Sequence, residues 1–150
     1  MKEALYYKTV KGNIQCVLCP RNCIIKENNI GFCGVRKNIK NKLYSLVYAK
    51  PVSVAIDPIE KKPLYHFLPG SRSFSIGTVG CNLRCKHCQN WEISQAKPDQ
   101  YPTSTLEPEE IVEKAIKNNC KSISYTYNEP TVFYEYALDT AKLARKAGLK

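Results

Sequence analysis

The sequence predicts an α/β fold in which parallel strands are joined by crossover helices. From residue 73 onward the segments follow the order strand, loop, helix, strand, helix, and strands that alternate with helices in this way pair in parallel. Before residue 65 the chain is instead rich in turns and short strand-like runs. We therefore divide its 150 residues into a first region, 1–65, and a second region, 66–150.

In the first region, the stretch around residues 16–34 is rich in proline, asparagine and glycine. Such a stretch builds no hydrophobic core of its own and needs a cross-link, such as a bound metal, to be stable. Runs of β-branched and aromatic residues then predict short strands at 43–49 and 52–56. Similar runs at 64–68 and 73–79 predict two further strands, which flank a Pro-Gly turn.

In the second region, segment 108–118 predicts a helix, with a proline at its start and acidic residues in its first turn. Segment 122–127 predicts a strand, and segment 131–147 a long helix that a glycine ends. The predicted buried face of the shorter helix is Ile111, Val112, Ala115 and Ile116; that of the longer helix is Val132, Phe133, Tyr136, Ala137, Thr140, Leu143 and Ala144.

Composition places the protein among ordinary globular chains, with 43% hydrophobic and 24% charged residues. No apolar run approaches the ~20 residues that span a bilayer, and the first residues lack the apolar segment of a secretory signal. We therefore expect a cytoplasmic protein with no membrane partner. In a reducing compartment, its eight cysteines are metal ligands or catalytic thiols rather than disulfides.

The net charge of +10 is concentrated in the first half, where residues 1–75 hold 13 basic and 4 acidic side chains. A basic excess can indicate a nucleic-acid partner. The lysines here are scattered and form no stripe, which favours a solvated surface. We expect no nucleic-acid partner.

Three cysteines carry the chemistry of the second region. Cys81, Cys85 and Cys88 have the spacing C-x3-C-x2-C and directly follow a predicted strand. A structural zinc site takes four protein ligands. Three thiolates on one tight loop are therefore typical of a catalytic zinc or of a cubane iron–sulfur cluster with one iron left free by the protein.

Four further cysteines form a separate group in the first region: Cys16, Cys19, Cys23 and Cys33, with the spacing C-x2-C-x3-C-x9-C. Four thiolates within 18 residues can close a tetrahedral zinc site or bind a second iron–sulfur cluster. The spacing leaves both possibilities open. The remaining cysteine, Cys120, has no partner nearby in the sequence and is interpreted as a small buried hydrophobic residue.

The segment GCNLRCKHC at residues 80–88 resembles the cluster loop of the radical S-adenosylmethionine (radical SAM) superfamily, C-x3-C-x-φ-C. The resemblance implies that Cys81, Cys85 and Cys88 bind a [4Fe–4S] cluster. It also implies that His87, at the usually aromatic φ position, packs near the adenine of S-adenosylmethionine.

A second match lies at residues 122–130, SISYTYNEP. It resembles the Gly-Gly-Glu-Pro-like motif of the same superfamily, which contacts the amino group of S-adenosylmethionine. Glu129 and Pro130 match that motif, whereas its two glycines are absent. The resemblance implies cofactor-binding roles for Asn128 and Glu129. Judged by its position alone, Glu129 is also an acid favoured at a helix start.

The amino-acid sequence of residues 50–95 resembles, more narrowly, the radical SAM protein of the AmmeMemoRadiSam system, a relative of pyruvate formate-lyase activating enzymes. The resemblance implies the first two β/α units of a partial (β/α) TIM-like barrel, preceded by a small loop-rich cysteine-containing β region. It further implies an oxidoreductase or activating-type enzyme that cleaves S-adenosylmethionine to a 5′-deoxyadenosyl radical for hydrogen abstraction. The implied partner is an electron donor of the reduced ferredoxin or flavodoxin type.

The sequence stops at Lys150, where the next strand of such a barrel is expected. We accordingly expect little or no radical activity from this chain alone, and a second polypeptide could complete the barrel. Two other classes stay open: a zinc-stapled basic module that binds nucleic acid, and a small electron-transfer protein with two clusters. A fourth thiolate at residues 81–88 would favour a ferredoxin-type site, whereas the radical SAM interpretation requires that only three thiolates bind the cluster.

Overall fold

The first region forms two small antiparallel sheets in the computed structural model, which describes all 150 residues. Strands β1, β6 and β5 make one sheet, in that order, and strands β2, β3 and β4 make the other. Their bounds are β1 Lys2–Glu3, β2 Tyr7–Val10, β3 Asn13–Cys16, β4 Ile24–Ile25, β5 Arg36–Ile39 and β6 Lys42–Ser45.

Two tight hairpins set the register of these sheets. Lys11 and Gly12 join β2 to β3, and Lys40 and Asn41 join β5 to β6. All four residues have positive φ, between 48° and 74°. Two consecutive residues of this kind are typical of the turn whose twist matches that of the paired strands.

A small hydrophobic core lies between these sheets. Ile14, Ile25 and Leu43 are almost fully buried, and Ala4 and Cys16 pack with them. The four-cysteine stretch supplies only part of this core, because Ile14 and Leu43 come from flanking strands. The prediction that the stretch builds no core by itself is thus consistent with the structure.

A third sheet, with the order β7-β8-β9, joins one strand of the first region to two strands of the second region. Strand β7 (Ser53–Pro58) is antiparallel to β8 (Arg72–Gly77), which is parallel to β9 (Cys120–Tyr125). The strand predicted at 64–68 is wrong: these residues are irregular, with bends at 65–68, in the loop between β7 and β8. Leu64, Tyr65, Phe67 and Leu68 are exposed, so the apolar run has no sheet to join. The domain boundary near residue 65 falls in this same loop and stays a prediction.

Two α-helices lie between β8 and β9, α1 (Trp91–Gln95) and α2 (Pro108–Lys117), and a third, α3 (Tyr134–Lys146), follows β9. Two short 3-10 segments occupy Ile59–Lys61 and Pro130–Phe133. The predicted strand, helix, strand, helix order and the parallel pairing are confirmed. None of the helices is long and apolar enough to cross a membrane.

The main core lies where α2 and α3 pack on the third sheet, and it includes Phe74, Ile111 and Phe133. The predicted face of the long helix is buried or partly buried. On α2 the prediction is wrong for Ile116, which is 52% exposed. Ile116 lies furthest around the helix from Ile111, beyond the stripe that the sheet and α3 cover.

A buried ion pair joins the two regions. Arg36 on β5 donates two hydrogen bonds to the carboxylate of Glu135 on α3, both of 2.9 Å. The backbone of Leu5 completes the network by donating to Glu135 at 2.7 Å and accepting from Arg36 at 2.7 Å. Because the carboxylate and both terminal guanidinium nitrogens are hydrogen-bonded, the pair is held in one geometry.

Candidate functional site

The three cysteines of residues 81–88 share one cleft with the residues that follow β9. Cys81, Cys85 and Cys88 line it together with Asn128 and Glu129, and its volume is about 180 Å³. We call it the three-thiol cleft. Strands β8 and β9 are parallel, so their carboxyl ends meet at one edge of the sheet, where α/β proteins place their ligands. The structure thus brings together two motifs that lie about forty residues apart in the sequence.

Gly80 controls how the cysteine loop begins. Its φ of +83° lies in the left-handed region, which glycine adopts without strain. A Cβ atom at this position would also lie 2.5 Å from the carbonyl oxygen of Cys33 and 2.5 Å from Cγ1 of Val35. The loop of residues 80–88, which we call the three-thiol loop, therefore starts in direct contact with the first region.

Asn128 holds the same loop from the other side. Its Nδ2 donates to the carbonyl oxygen of Gly80 at 2.6 Å and to Oγ1 of Thr78 at 3.3 Å. Its Oδ1 accepts from the backbone N–H of Thr78 at 3.4 Å. These bonds make Asn128 a positioning residue for the loop, and a direct contact with a cofactor stays a prediction.

Glu129 lies in the three-thiol cleft and also caps the 3-10 segment Pro130–Phe133. Its Oε1 accepts from the backbone N–H of Thr131 at 3.2 Å and from the Thr131 hydroxyl at 2.6 Å. The structure therefore confirms the helix-start role of Glu129, and its contact with a cofactor stays a prediction.

His87 is placed differently from the other candidate residues. Its side chain is exposed and does not line the three-thiol cleft. Its packing against an adenine stays a prediction.

The sulfur atoms of the cleft have polar neighbours. The backbone N–H of Leu83 donates to Sγ of Cys81 at 3.4 Å, and Oγ of Ser94 lies 3.6 Å from Sγ of Cys88. Hydrogen bonds to ligating sulfurs stabilise the thiolate form and tune the reduction potential of an iron–sulfur cluster.

The donor set of the cleft fits a cluster better than a single ion. A structural zinc site takes four protein ligands, whereas only three cysteines and no histidine line this cleft. A lone zinc needs all its sulfurs about 2.3 Å from one point, whereas a cubane takes one thiolate on each iron. Three separate thiols around a roomy cleft match the second requirement.

The first cysteine group lines a different and much smaller pocket. Cys16 ends β3, Cys19 and Cys23 lie in the loop to β4, and Cys33 lies in the loop before β5. All four line one pocket of about 20 Å³, which we call the four-cysteine pocket. Burial raises the pKa of Cys33 to about 11.

Contacts between the two cysteine groups were missed by sequence reasoning. Arg21 donates to the carbonyl oxygen of Asn82 at 3.1 Å, and Arg84 donates to that of Phe32 at 3.1 Å. Two guanidinium groups also lie over the Phe32 ring. The ring centroid is 3.9 Å from the guanidinium of Arg21 and 4.3 Å from that of Arg84. The partners of the two hydrogen bonds lie more than 50 residues apart, so no local spacing indicates them.

A larger cleft of about 650 Å³ also opens at the carboxyl end of β9, and it too was missed. Lys61, Lys62, Gln89 and Tyr127 are among the residues that line it, and Tyr127 lines the three-thiol cleft as well. The two clefts therefore share a wall.

Asp57 on β7 forms hydrogen bonds with residues that line the larger cleft, including Tyr127 of the shared wall. Its carboxylate accepts hydrogen bonds from Lys61 at 2.9 Å, from Lys62 at 2.6 Å, from Ser75 at 2.8 Å and from Tyr127 at 3.0 Å. Burial acts to raise the pKa of Asp57, but these four donors outweigh it and hold the pKa below its ordinary range.

Comparison with known proteins decides the family. The family model of the radical SAM superfamily matches residues 75–150, which include the end of β8, the three-thiol loop and all of β9. The chain belongs to the radical SAM superfamily. The narrower resemblance to the AmmeMemoRadiSam system stays a prediction.

Two relatives of this radical SAM chain come from Methanocaldococcus jannaschii, and both are uncharacterized proteins. MJ0808 is 54% identical over 150 residues, which cover 99% of the chain and 45% of the relative. MJ0674 is 24% identical over 123 residues, which cover 77% of the chain and 31% of the relative. The chain thus spans less than half the length of the curated relatives it matches. No solved structure matches the chain significantly.

Proposed function

We propose that this chain is the cluster-binding part of a radical SAM enzyme, with Cys81, Cys85 and Cys88 as the ligands of a [4Fe–4S] cluster. The observation that carries the proposal is the composition of the three-thiol cleft. Three cysteines line it, and no fourth cysteine and no histidine does. A cubane held there keeps one iron free of thiolate and imidazole ligands, which is the position that S-adenosylmethionine needs.

When bound and reduced, such a cluster supplies the electron that breaks the sulfonium bond of S-adenosylmethionine, leaving methionine and a 5′-deoxyadenosyl radical that abstracts hydrogen from a substrate. The contribution of this chain is to hold and orient the reactants. Asn128 and Gly80 fix the start of the loop, and the N–H of Leu83 stabilises the sulfur of Cys81. Glu129 offers a carboxylate to the amino group of S-adenosylmethionine from within the same cleft.

A partial (β/α) barrel is the fold that this proposal requires. Strands β8 and β9 supply its first two parallel strands, and α2 is the crossover between them. Lys150 supports a third strand, since its N–H donates to the carbonyl oxygen of Lys121 and its carbonyl accepts from the N–H of Ile123. This is the hydrogen-bond pattern of a parallel neighbour. An apolar cleft of about 500 Å³ beside it, lined in part by Ile123 and Leu149, offers a surface for further barrel elements.

The partners follow from the same proposal. A one-electron donor of the reduced ferredoxin or flavodoxin type would reduce the cluster. Further barrel units, from the same or a second polypeptide, would contribute the remaining contacts to S-adenosylmethionine and to the substrate.

The test is anaerobic reconstitution of the full chain with iron and sulfide, followed by electron paramagnetic resonance of the reduced protein with and without S-adenosylmethionine. We expect a cluster signal that changes when S-adenosylmethionine is added. Cys85→Ala should abolish the signal. Cys120→Ala is the matched control, because Cys120 is buried outside both cysteine groups, and this variant should retain the signal.

A Glu129→Ala variant separates cluster binding from cofactor binding. We expect normal iron content but a weaker response to S-adenosylmethionine. A cluster signal in the unsubstituted chain that ignores S-adenosylmethionine, or zinc in place of iron at the three-thiol loop, would contradict the proposed function.

A further inference from the structure

The four-cysteine pocket has room for one atom-sized guest. Its volume is about 20 Å³, and a cavity of roughly 10–15 Å³ on this measure holds a single water-sized sphere. The three-thiol cleft, with about 180 Å³, is several times larger. A cubane of four irons and four sulfides needs space of the second kind, so the two cysteine groups differ in what they can hold.

Two buried polar atoms at this pocket have no hydrogen-bond partner. They are Nε of Arg36 and Oδ1 of Asn82, and both side chains line the pocket. Arg36 is 2% exposed and Asn82 is 8% exposed. An unpaired buried polar group costs about 1–3 kcal/mol, so two such groups at one pocket indicate a missing partner.

A metal-bound thiolate is the partner that suits these groups. The Nε–H of Arg36 can only donate, and a thiolate sulfur accepts such bonds. Rotation of the Asn82 amide by 180° exchanges its oxygen for an NH2 donor, since the two orientations are alike in shape. Arg21 and Arg36 also line the pocket, although Arg36 is already paired with Glu135. Positive charge beside the pocket favours an anionic centre.

We infer that the four-cysteine pocket is a mononuclear zinc site, with Cys16, Cys19, Cys23 and Cys33 as its ligands. The donor set is that of a closed structural site, four thiolates with no open position. Ligation needs the thiols to turn inward, because no three of them converge on one point as they stand. This inference chooses between the two metals that the sequence left open.

The zinc site is placed to stabilise the three-thiol loop. Asn82 lies between Cys81 and Leu83 in the sequence, yet its side chain lines the four-cysteine pocket. Gly80 is packed against the carbonyl oxygen of Cys33, and Arg21 holds the carbonyl oxygen of Asn82. Ordering of the four cysteines around zinc therefore fixes the residues that carry the first thiol of the loop.

The first experiment tests the zinc site independently of the proposed function. In the full chain, Cys81→Ala, Cys85→Ala and Cys88→Ala together remove the three-thiol ligands but leave the four-cysteine pocket intact. We expect one zinc and no sulfide per chain by elemental analysis, and a visible thiolate–cobalt spectrum after replacement of zinc by Co²⁺. Cys120→Ala should leave the zinc content of the otherwise unsubstituted chain unchanged.

Two outcomes would overturn the inference. Iron and sulfide retained in the triple variant would indicate a second cluster, and absence of any bound metal would show that the pocket is not a metal site. Adding Cys19→Ser to the triple variant should weaken cobalt binding and lower the intensity of the thiolate–cobalt bands by about a quarter, since one of four thiolates is lost. Bands unchanged in position and intensity would show that Cys19 is not a ligand.

The second experiment tests the effect on the loop and rests on the proposed function. Cys19→Ser alone should weaken iron binding at the three-thiol loop by about tenfold or more, the effect typical of losing a residue that supports a metal ligand. Circular dichroism checks that the variant is folded. Unchanged iron affinity in a folded, zinc-free Cys19→Ser variant would refute the stabilising role. Failure of iron to bind the unsubstituted chain would instead count against the proposed function.

Discussion

Gly80→Ala is expected to destabilise the protein strongly, and its cost can be worked out from the structure. The φ of +83° places alanine in the left-handed region, at a cost of about 1–2 kcal/mol. The added Cβ would also lie 2.5 Å from the carbonyl oxygen of Cys33. Forcing extra volume into a packed site costs about 1–3 kcal/mol. The free energy of unfolding should therefore fall by about 2–5 kcal/mol.

Gly70→Ala is the matched control. Gly70 has a φ of +73°, and nothing lies within 4 Å of its Cβ position. The control therefore carries the backbone strain without the collision and should lose only about 1–2 kcal/mol. The two variants separate the two physical causes.

The assay is urea unfolding followed by circular dichroism, on proteins of equal metal content. With a slope of about 1–3 kcal/mol per molar urea, Gly80→Ala should lower the unfolding midpoint by about 1–2 M. The Gly70→Ala shift should be clearly smaller. Equal shifts would refute the close approach of Gly80 to the four-cysteine segment, and with it the contact between the two cysteine groups.

Three further predictions follow from the buried contacts. Glu135→Leu leaves Arg36 buried and unpaired and should cost about 3–5 kcal/mol in urea unfolding; adding Arg36→Met should recover part of this, and no recovery would contradict the ion-pair account. Because the pKa of Asp57 is held below its ordinary range, its stabilising contribution is complete above about pH 4 and declines as the pH falls further. Asp57→Asn should lower stability at pH 7 and flatten the acid-side dependence; an unchanged acid slope would argue against this. Tyr136→Phe removes the donor to the carbonyl oxygen of Leu106 and should cost about 1–3 kcal/mol in thermal or urea unfolding, whereas full stability would show that bond to be unimportant.

Local patterns in the sequence predicted most of the secondary structure of the second region. The spacing of Cys81, Cys85 and Cys88 after a strand, and the apolar periodicity of the two long helices, predicted elements that the structure contains. They succeed because neighbours along the chain decide turn geometry and the buried face of a helix. The same reasoning failed at residues 64–68, where a strand-like composition found no strand to pair with, and at Ile116, where the packed face was narrower than the periodicity suggested.

The sequence by itself determined which thiols belong to each group, because ligand spacing is a local property of the chain. Only the tertiary structure decided that the two groups lie against each other, through Gly80, Asn82 and the Arg21–Phe32–Arg84 contacts. It also decided the difference in size between the two thiol-lined spaces. Contacts between residues 50 to 100 positions apart depend on how sheets and helices bury their faces together, and no spacing along the chain encodes that packing.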